Sequence, residues 1–309
     1  MIRIMLLAFL ILLVKEVNGQ ETKVKKHENV IYGMISGMAL LMDVYEPEHG
    51  NGIGVIYIPG SGFGLWQVYQ RVYNQLPLKD DYFLDKDYSG KWAQELVNKG
   101  YTVFVINHRF SPRFHFPDGL EDCRRAVRFI RYNAKQFNID PNHIGAMGHS
   151  SGGYLAAMLG VYDQVYLNVD KSPIDSVSSK VQAVTTLAAN LILSDINQMG
   201  EPDVEMYLHR VQATLNYMGE LPEHKDGQYV SSGKYAGASP VDHISKGDAA
   251  FLIYSSDNDP IAPQRQATTM YNKLKEAGVE SKLVIDPKSG HAPKPDMNEV
   301  DKWFKKYFK

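Results

Sequence analysis

Gly148-His149-Ser150-Ser151-Gly152 is a G-x-S-x-G pentapeptide. It stands between a short apolar run, His143-Ile144-Gly145-Ala146-Met147, and a small-residue helical stretch, Gly153-Tyr154-Leu155-Ala156-Ala157-Met158-Leu159. Glycines two before and two after a serine let a chain double back without Cβ clashes, so the segment reads as strand, sharp turn and helix. The turn would leave Ser150 Oγ exposed above a sheet. Little else in the chain restricts the fold so much, because a strand that runs straight into a helix calls for a sheet with helices packed on it.

The rest of the sequence alternates to match. Val30 to Ser36 and Met38 to Tyr45 read as an antiparallel edge hairpin turning at Gly37, and Glu46-Pro47 stops it. Buried strands are expected at Gly54 to Ile58, Thr102 to Ile106, Val181 to Leu187, Ala250 to Tyr254 and Ser281 to Ile285. Helices are expected at Lys91 to Lys99, Gly119 to Phe137, Pro263 to Ala277 and Asp296 to Phe308. Short β-branched runs separated by helices imply a mostly parallel α/β sheet with helices on both faces. Residues 20–309 read as one such domain with insertions at about 63–90 and 162–240. The second insertion is longer than a crossover needs, holds one helix around Val204 to Tyr217, and is expected to be a cap or lid. The first carries Phe63, Trp66 and Tyr69 among other aromatics, which could form a substrate platform or simply pack beneath a long loop.

A net charge of -2 and no Lys/Arg stripe give no footprint for nucleic acid. At the N-terminus Arg3 precedes an apolar stretch of 11 residues, Ile4 to Val14, and then Val17-Asn18-Gly19. That stretch is too short to span a bilayer and reads as a signal peptide over residues 1–19, cleaved near Gly19, with a secreted or periplasmic product and no stable membrane insertion; an uncleaved anchor is the alternative. The single cysteine, Cys123, shares one helical stripe with Leu120, Val127, Ile130, Ala134 and Phe137, so it reads as a core thiol and not a nucleophile.

A serine hydroxyl attacks only if a base takes its proton, and that base needs a partner to fix its tautomer. The acid and the histidine are expected after the serine, each on a loop behind a late strand. Asp259 follows Ala250 to Tyr254, and His291, the only histidine in the last fifth of the chain, follows Ser281 to Ile285. Asp257 competes with Asp259, and Asp259 is preferred. His149 adjoins the serine, but neighbours on a sharp turn point apart, so it reads as a packed or partly exposed imidazole. The oxyanion of acyl transfer needs backbone donors. Ser151 N-H is the expected first donor, and the Pro59-Gly60-Ser61-Gly62-Phe63-Gly64 loop offers Ser61 and Gly62 for the second. A phosphate loop would need G-x-x-x-x-G-K-[ST], which is not present. No H-E-x-x-H or H-x-x-x-H spacing suggests a metal, and no cofactor is required.

Four blocks together resemble the α/β-hydrolase esterases: Asn107-His108-Arg109-Phe110-Ser111-Pro112, Phe116-Pro117-Asp118-Gly119-Leu120-Glu121-Asp122, Ile139-Asp140-Pro141 and the elbow. Ser239-Pro240-Val241 and Asp259-Pro260-Ile261-Ala262-Pro263 also resemble family blocks, those around its acid. The branch is that of acetyl-xylan and feruloyl esterases, near hormone-sensitive-lipase and kynurenine-formamidase relatives. The resemblance implies the α/β-hydrolase fold and Ser150, Asp259 and His291 as triad. Two departures stand out: Pro59-Gly60-Ser61-Gly62 where the family writes His-Gly-Gly-Gly, and Ser255-Ser256 where it writes His-Gly.

The leading expectation is therefore an exported serine esterase acting on a small-molecule or oligosaccharide ester. By resemblance the acyl group is acetyl or feruloyl and the alcohol a plant or algal polysaccharide fragment. The same triad would serve an amide hydrolase, either a peptidase or a formamidase. A lipase or general carboxylesterase and an inactive binding protein are the further alternatives. Oligomeric state is not legible.

Overall fold

The structure, a computed structural model, describes residues 23–64, 90–162, 172–194, 204–221, 223–225, 228–230 and 233–308. Strand β1 (Val24–Ile35) and β2 (Met38–Pro47) form the antiparallel hairpin, turning at Gly37 with φ +81°. β2 pairs antiparallel with β4 (Thr102–Ile106), and β4 lies parallel to β3 (Gly54–Ile58). From β3 the sheet continues in parallel through β5 (Ile144–His149) and β6 (Ala183–Leu187). A separate short pair, β7 (Glu223–Lys225) and β8 (Gln228–Val230), precedes β9 (Ala250–Ser256) and β10 (Ser281–Asp286), which complete the large sheet. Its order is β1-β2-β4-β3-β5-β6-β9-β10.

The helices are α1 (Gly90–Asn98), α2 (Asp118–Tyr132), α3 (Ser151–Val161), α4 (Val204–Met218), a short α5 (Gly233–Gly237), α6 (Gln264–Glu276) and α7 (Met297–Tyr307). The central strands β3, β4, β5, β6 and β9 are buried at every position, and their alternate side chains supply two cores. Ile56, Ile58, Phe104, Ile106 and Ala146 meet Leu120 and Val127 of α2, Leu155 of α3 and Met270 of α6. Val55, Tyr57, Val103, Val105 and Met147 meet Leu96 of α1 and Val300 and Phe304 of α7. This is the mostly parallel α/β sheet with helices on both faces that the alternation predicts.

Several boundaries differ from the sequence reading, among them the end of β2, which runs through Glu46 and Pro47, and the start of β6, at Ala183 and not Val181. β1 starts at Val24, because polar Lys25, Lys26 and His27 tolerate an edge position that pairs with β2 on one side only, and the register shifts between His27 and Val30. The helix expected from Gly119 to Phe137 ends at Tyr132, and a 3-10 turn takes over at Ala134–Phe137. Between them, Asn133 donates to Phe129 O from its backbone N–H at 3.0 Å and from Nδ2 at 2.8 Å, and Gln136 N–H then donates to Asn133 O at 2.8 Å in the tighter i→i+3 pattern. β9 runs on through Ser255 and Ser256, which pair with Ile285 and Asp286 and so lie within the sheet.

Candidate active site

The G-x-S-x-G segment folds as the sequence predicts. β5 ends at His149 and α3 begins at Ser151, with Ser150 held between them at φ 53°, ψ −123°. That conformation is costly for a residue with a side chain and persists only where its surroundings enforce it. The Ser150 N–H donates to Leu187 O at 2.8 Å, pinning the turn to the end of β6. Close approach explains the two glycines. A Cβ on Gly148 would lie 2.3 Å from Gly152 O, and one on Gly152 would lie 1.9 Å from Ile58 O.

Asp259 and His291 stand behind β9 and β10, the two strands on the far side of β6, and their loops return to the same carboxyl edge of the sheet. His291 Nε2 lies 2.9 Å from Ser150 Oγ, while His291 Nδ1 lies 3.0 and 2.9 Å from the two Asp259 oxygens. A carboxylate can only accept here, so Nδ1 carries the proton and Nε2 is left to take one from the serine. Asp259 is 5% exposed, and its Oδ1 also accepts from Ile261 N–H and Ala262 N–H, both at 2.8 Å. Asp257, the competing acid, is exposed. The arrangement can generate a nucleophilic serine oxygen at the mouth of the sheet.

Two neighbours of this trio are not evident from the sequence. Asn258 Oδ1 accepts from Gly290 N–H at 3.0 Å and from Ser256 Oγ at 2.9 Å, tying the acid loop to the histidine loop. His149, 1% exposed, donates from Nε2 to His291 O at 2.8 Å. Burial, and after it the His291 ring, pull the His149 imidazole down to about 3, so it stays neutral at ordinary pH. Its packing agrees with the expectation. Its bond to His291 spans 142 residues, which no local pattern could reveal.

The loop after β3 lies against the elbow. A Cβ on Gly60 would fall 2.7 Å from His149 O and 3.0 Å from Ser150 Cβ. Ser151 N–H opens α3, where the first amides have no intrahelical acceptor. Gly62, at φ +60°, sits in the loop as expected. Ser61 differs: its N–H donates to Ser151 Oγ at 2.9 Å and its hydroxyl to Gly64 O at 2.7 Å. The amide expected as an oxyanion donor is thus committed to clamping the loop onto α3.

Phe63 follows the packing alternative and is not part of a substrate platform. It is 3% exposed and stacks on Tyr217 of α4 with ring centroids 4.0 Å apart, edge-on to Tyr154 of α3 at 5.1 Å. It packs beneath the loop and offers almost no surface to a substrate. Trp66 and Tyr69 lie outside the described residues, as do the expected signal peptide and most of the 63–90 insertion. Phe63 O accepts from Ser111 N–H at 2.9 Å, and Ser111 belongs to the same loop as Arg109. Arg109 grips buried Asp122 through Nε at 3.0 Å and Nη2 at 2.9 Å and reaches Asp118 at 2.9 Å. The Asn107-to-Pro112 and Phe116-to-Asp122 blocks therefore act together, bracing the loop beside the serine.

Cys123 is buried, and burial pushes its thiol well above the ordinary range. Among the described residues no group of three His, Cys, Asp or Glu could hold a metal ion. Among them, too, no helix is long and apolar enough to cross a membrane.

The family model BD-FAE matches residues 42–274. Esterase LipQ of Mycobacterium tuberculosis is 25% identical over 64% of this chain and 44% of its own length. An acetylxylan esterase of Xylanibacter ruminicola is 23% identical over 81% of this chain and 43% of its own length. The chain thus spans under half the length of these curated relatives. A solved structure, a truncated form of a carbohydrate esterase from gut microbiota, superposes with a TM-score of 0.71 at 23% identity, covering 93% of this chain and 98% of that one. At that identity the likeness is one of fold.

Proposed function

The chain belongs to the BD-FAE family and has an α/β-hydrolase fold, and on that premise we propose that it is a serine carboxylic-ester hydrolase that removes acyl groups from carbohydrate. One observation carries the reading: the unbroken line from Asp259 through His291 to Ser150 Oγ, every contact between 2.9 and 3.0 Å. In this reading His291 takes the Ser150 proton as the oxygen attacks the ester carbonyl, then delivers it to the leaving alcohol. Asp259 orients the ring and stabilises the imidazolium. Ser151 N–H and Gly62 N–H receive the oxyanion, with the dipole of α3 behind the first. A water then repeats the sequence to release the acid and restore Ser150.

The acetylxylan esterase relative and the carbohydrate esterase neighbour support an acetyl group on a glycan, and a feruloyl group is the other acyl candidate. The apolar stretch Ile4 to Val14 supports export of the product. Residues 20–309 would then form one domain, with α4 as part of a cap. α4 does lie on the site loop: Ala213 Cβ is 3.7 Å from where a Gly62 Cβ would stand, and Tyr217 stacks on Phe63.

The test is hydrolysis of acetyl and feruloyl esters of xylo-oligosaccharides, with aminoacyl amides alongside, by the purified chain and by Ser150→Ala. Ester hydrolysis by the former and not the latter is expected. Preference for the amides, or an undiminished rate in the variant, would overturn the proposal.

A further inference from the structure

We infer that His149 is a positioning residue for His291, holding the base at working distance from the serine through a hydrogen bond to its backbone carbonyl. The inference rests on the esterase reading above and concerns the same site.

His149 closes a short ring of connections. Its backbone leads directly into Ser150, its side chain reaches His291 O at 2.8 Å, and the His291 side chain returns to Ser150 Oγ at 2.9 Å. One end of this strut is rigid, since His149 is the last residue of β5, paired with Leu187 while Gly148 pairs with Ile58. The ring itself is walled in, with the Trp92 ring at 5.6 Å, the His291 ring at 5.1 Å and Gly60 against Nδ1. The other end needs a tether. His291 sits in a loop beyond β10, joined to the acid loop by Asn258 and Asp259, and those contacts set its place relative to β9 and not relative to the elbow. Because a carbonyl only accepts, His149 must carry its proton on Nε2. Its neutral state, secured by burial and by His291, keeps that tautomer through the range in which an esterase works.

The test uses the full chain with His149→Phe, which keeps the ring and loses the donor, and His149→Gln, whose amide nitrogen can take the place of Nε2. Phosphonylation of Ser150 by a fluorophosphonate and ester kcat should fall on the order of 10²-fold in the phenylalanine variant, with KM nearly unchanged. The glutamine variant should recover most of both. The far-downfield proton resonance of His291 Nδ1–H should broaden in the first and persist in the second, which loss of packing alone would not produce. If His149→Phe does not fold, His149→Asn, whose amide stops one bond short, takes its place against His149→Gln. Wild-type labelling in the donor-less variant, or equal loss in both variants, would overturn the inference. If the unaltered chain takes no label, the esterase reading fails instead, and the Nδ1–H resonance still decides whether the tether holds.

Discussion

Gly152 faces the carbonyl of Ile58 so closely that a methyl group added to it would lie 1.9 Å from that oxygen. The first turn of α3 thus rests on the end of β3, and the serine turn shares a wall with the loop that follows that strand. Gly152→Ala is expected to cost about 3 kcal/mol or more, because the obstacle is backbone and cannot swing aside. Denaturant midpoints measure the cost, and a variant as stable as the parent would refute this packing.

Ser150 supplies the opposite case. At φ 53°, ψ −123° it holds a conformation costing roughly 1–3 kcal/mol for a residue with a Cβ, and glycine adopts it readily. Ser150→Gly should abolish fluorophosphonate labelling while raising stability by about 1 kcal/mol, net of the extra chain entropy glycine loses. Calorimetry of the variant beside Ser150→Ala separates the loss of strain from the loss of the hydroxyl.

Asp259→Asn should lower kcat on the order of 10⁴-fold, since an amide facing Nδ1 favours the tautomer whose proton sits on the wrong nitrogen. KM should move little. Steady-state kinetics on a short-chain ester gives both numbers, and a loss confined to KM would deny the acid its orienting role.

His149 makes stability depend on pH. Its folded-state value is about 3, against an ordinary histidine near ~6.5 in the unfolded chain, so between those values the unfolded chain binds more protons. The contribution to stability is intact above the upper value and is lost as pH falls toward the lower, by up to about 1.4 kcal/mol per pH unit. Urea unfolding followed across this window should show a steeper acid limb for the parent than for His149→Gln. Parallel limbs would contradict the neutral, buried imidazole.

Asp122→Ala should cost about 3 kcal/mol, because it takes the buried bidentate partner from the Arg109 guanidinium and leaves it only the partly exposed Asp118. The damage should also reach the site through Ser111 and Phe63, appearing as a slower Ser150 labelling rate in the fraction that remains folded. Unfolding curves paired with labelling kinetics give both readouts.

The sheet was legible wherever a strand is a run of β-branched or apolar residues. Gly54–Ile58 and Thr102–Ile106 have the bounds their sequences predict, and both are buried throughout. Legibility failed where polar residues enter regular structure: Ser255 and Ser256 look like loop yet are buried strand, and Lys25 to His27 pair at an edge. The trio of Ser150, Asp259 and His291 was readable because chain order and strand positions restrict the choices to a few. Contacts made across the fold were not. The Ser61 amide meets a Ser151 hydroxyl 90 residues away, and the aromatic character of Phe63 says nothing about whether its ring faces solvent or Tyr217.

Asn258 and Asp259 are adjacent in the chain, as are Gly290 and His291, and the two pairs are bonded residue to residue. The acid and the base therefore travel as a single piece, and thermal motion cannot readily open the gap between them. What is left is one adjustable joint, the span from His291 Nε2 to the serine oxygen. A molecule built this way has only one distance to regulate when a substrate enters, and the side chain bridging that joint begins one residue before the serine itself.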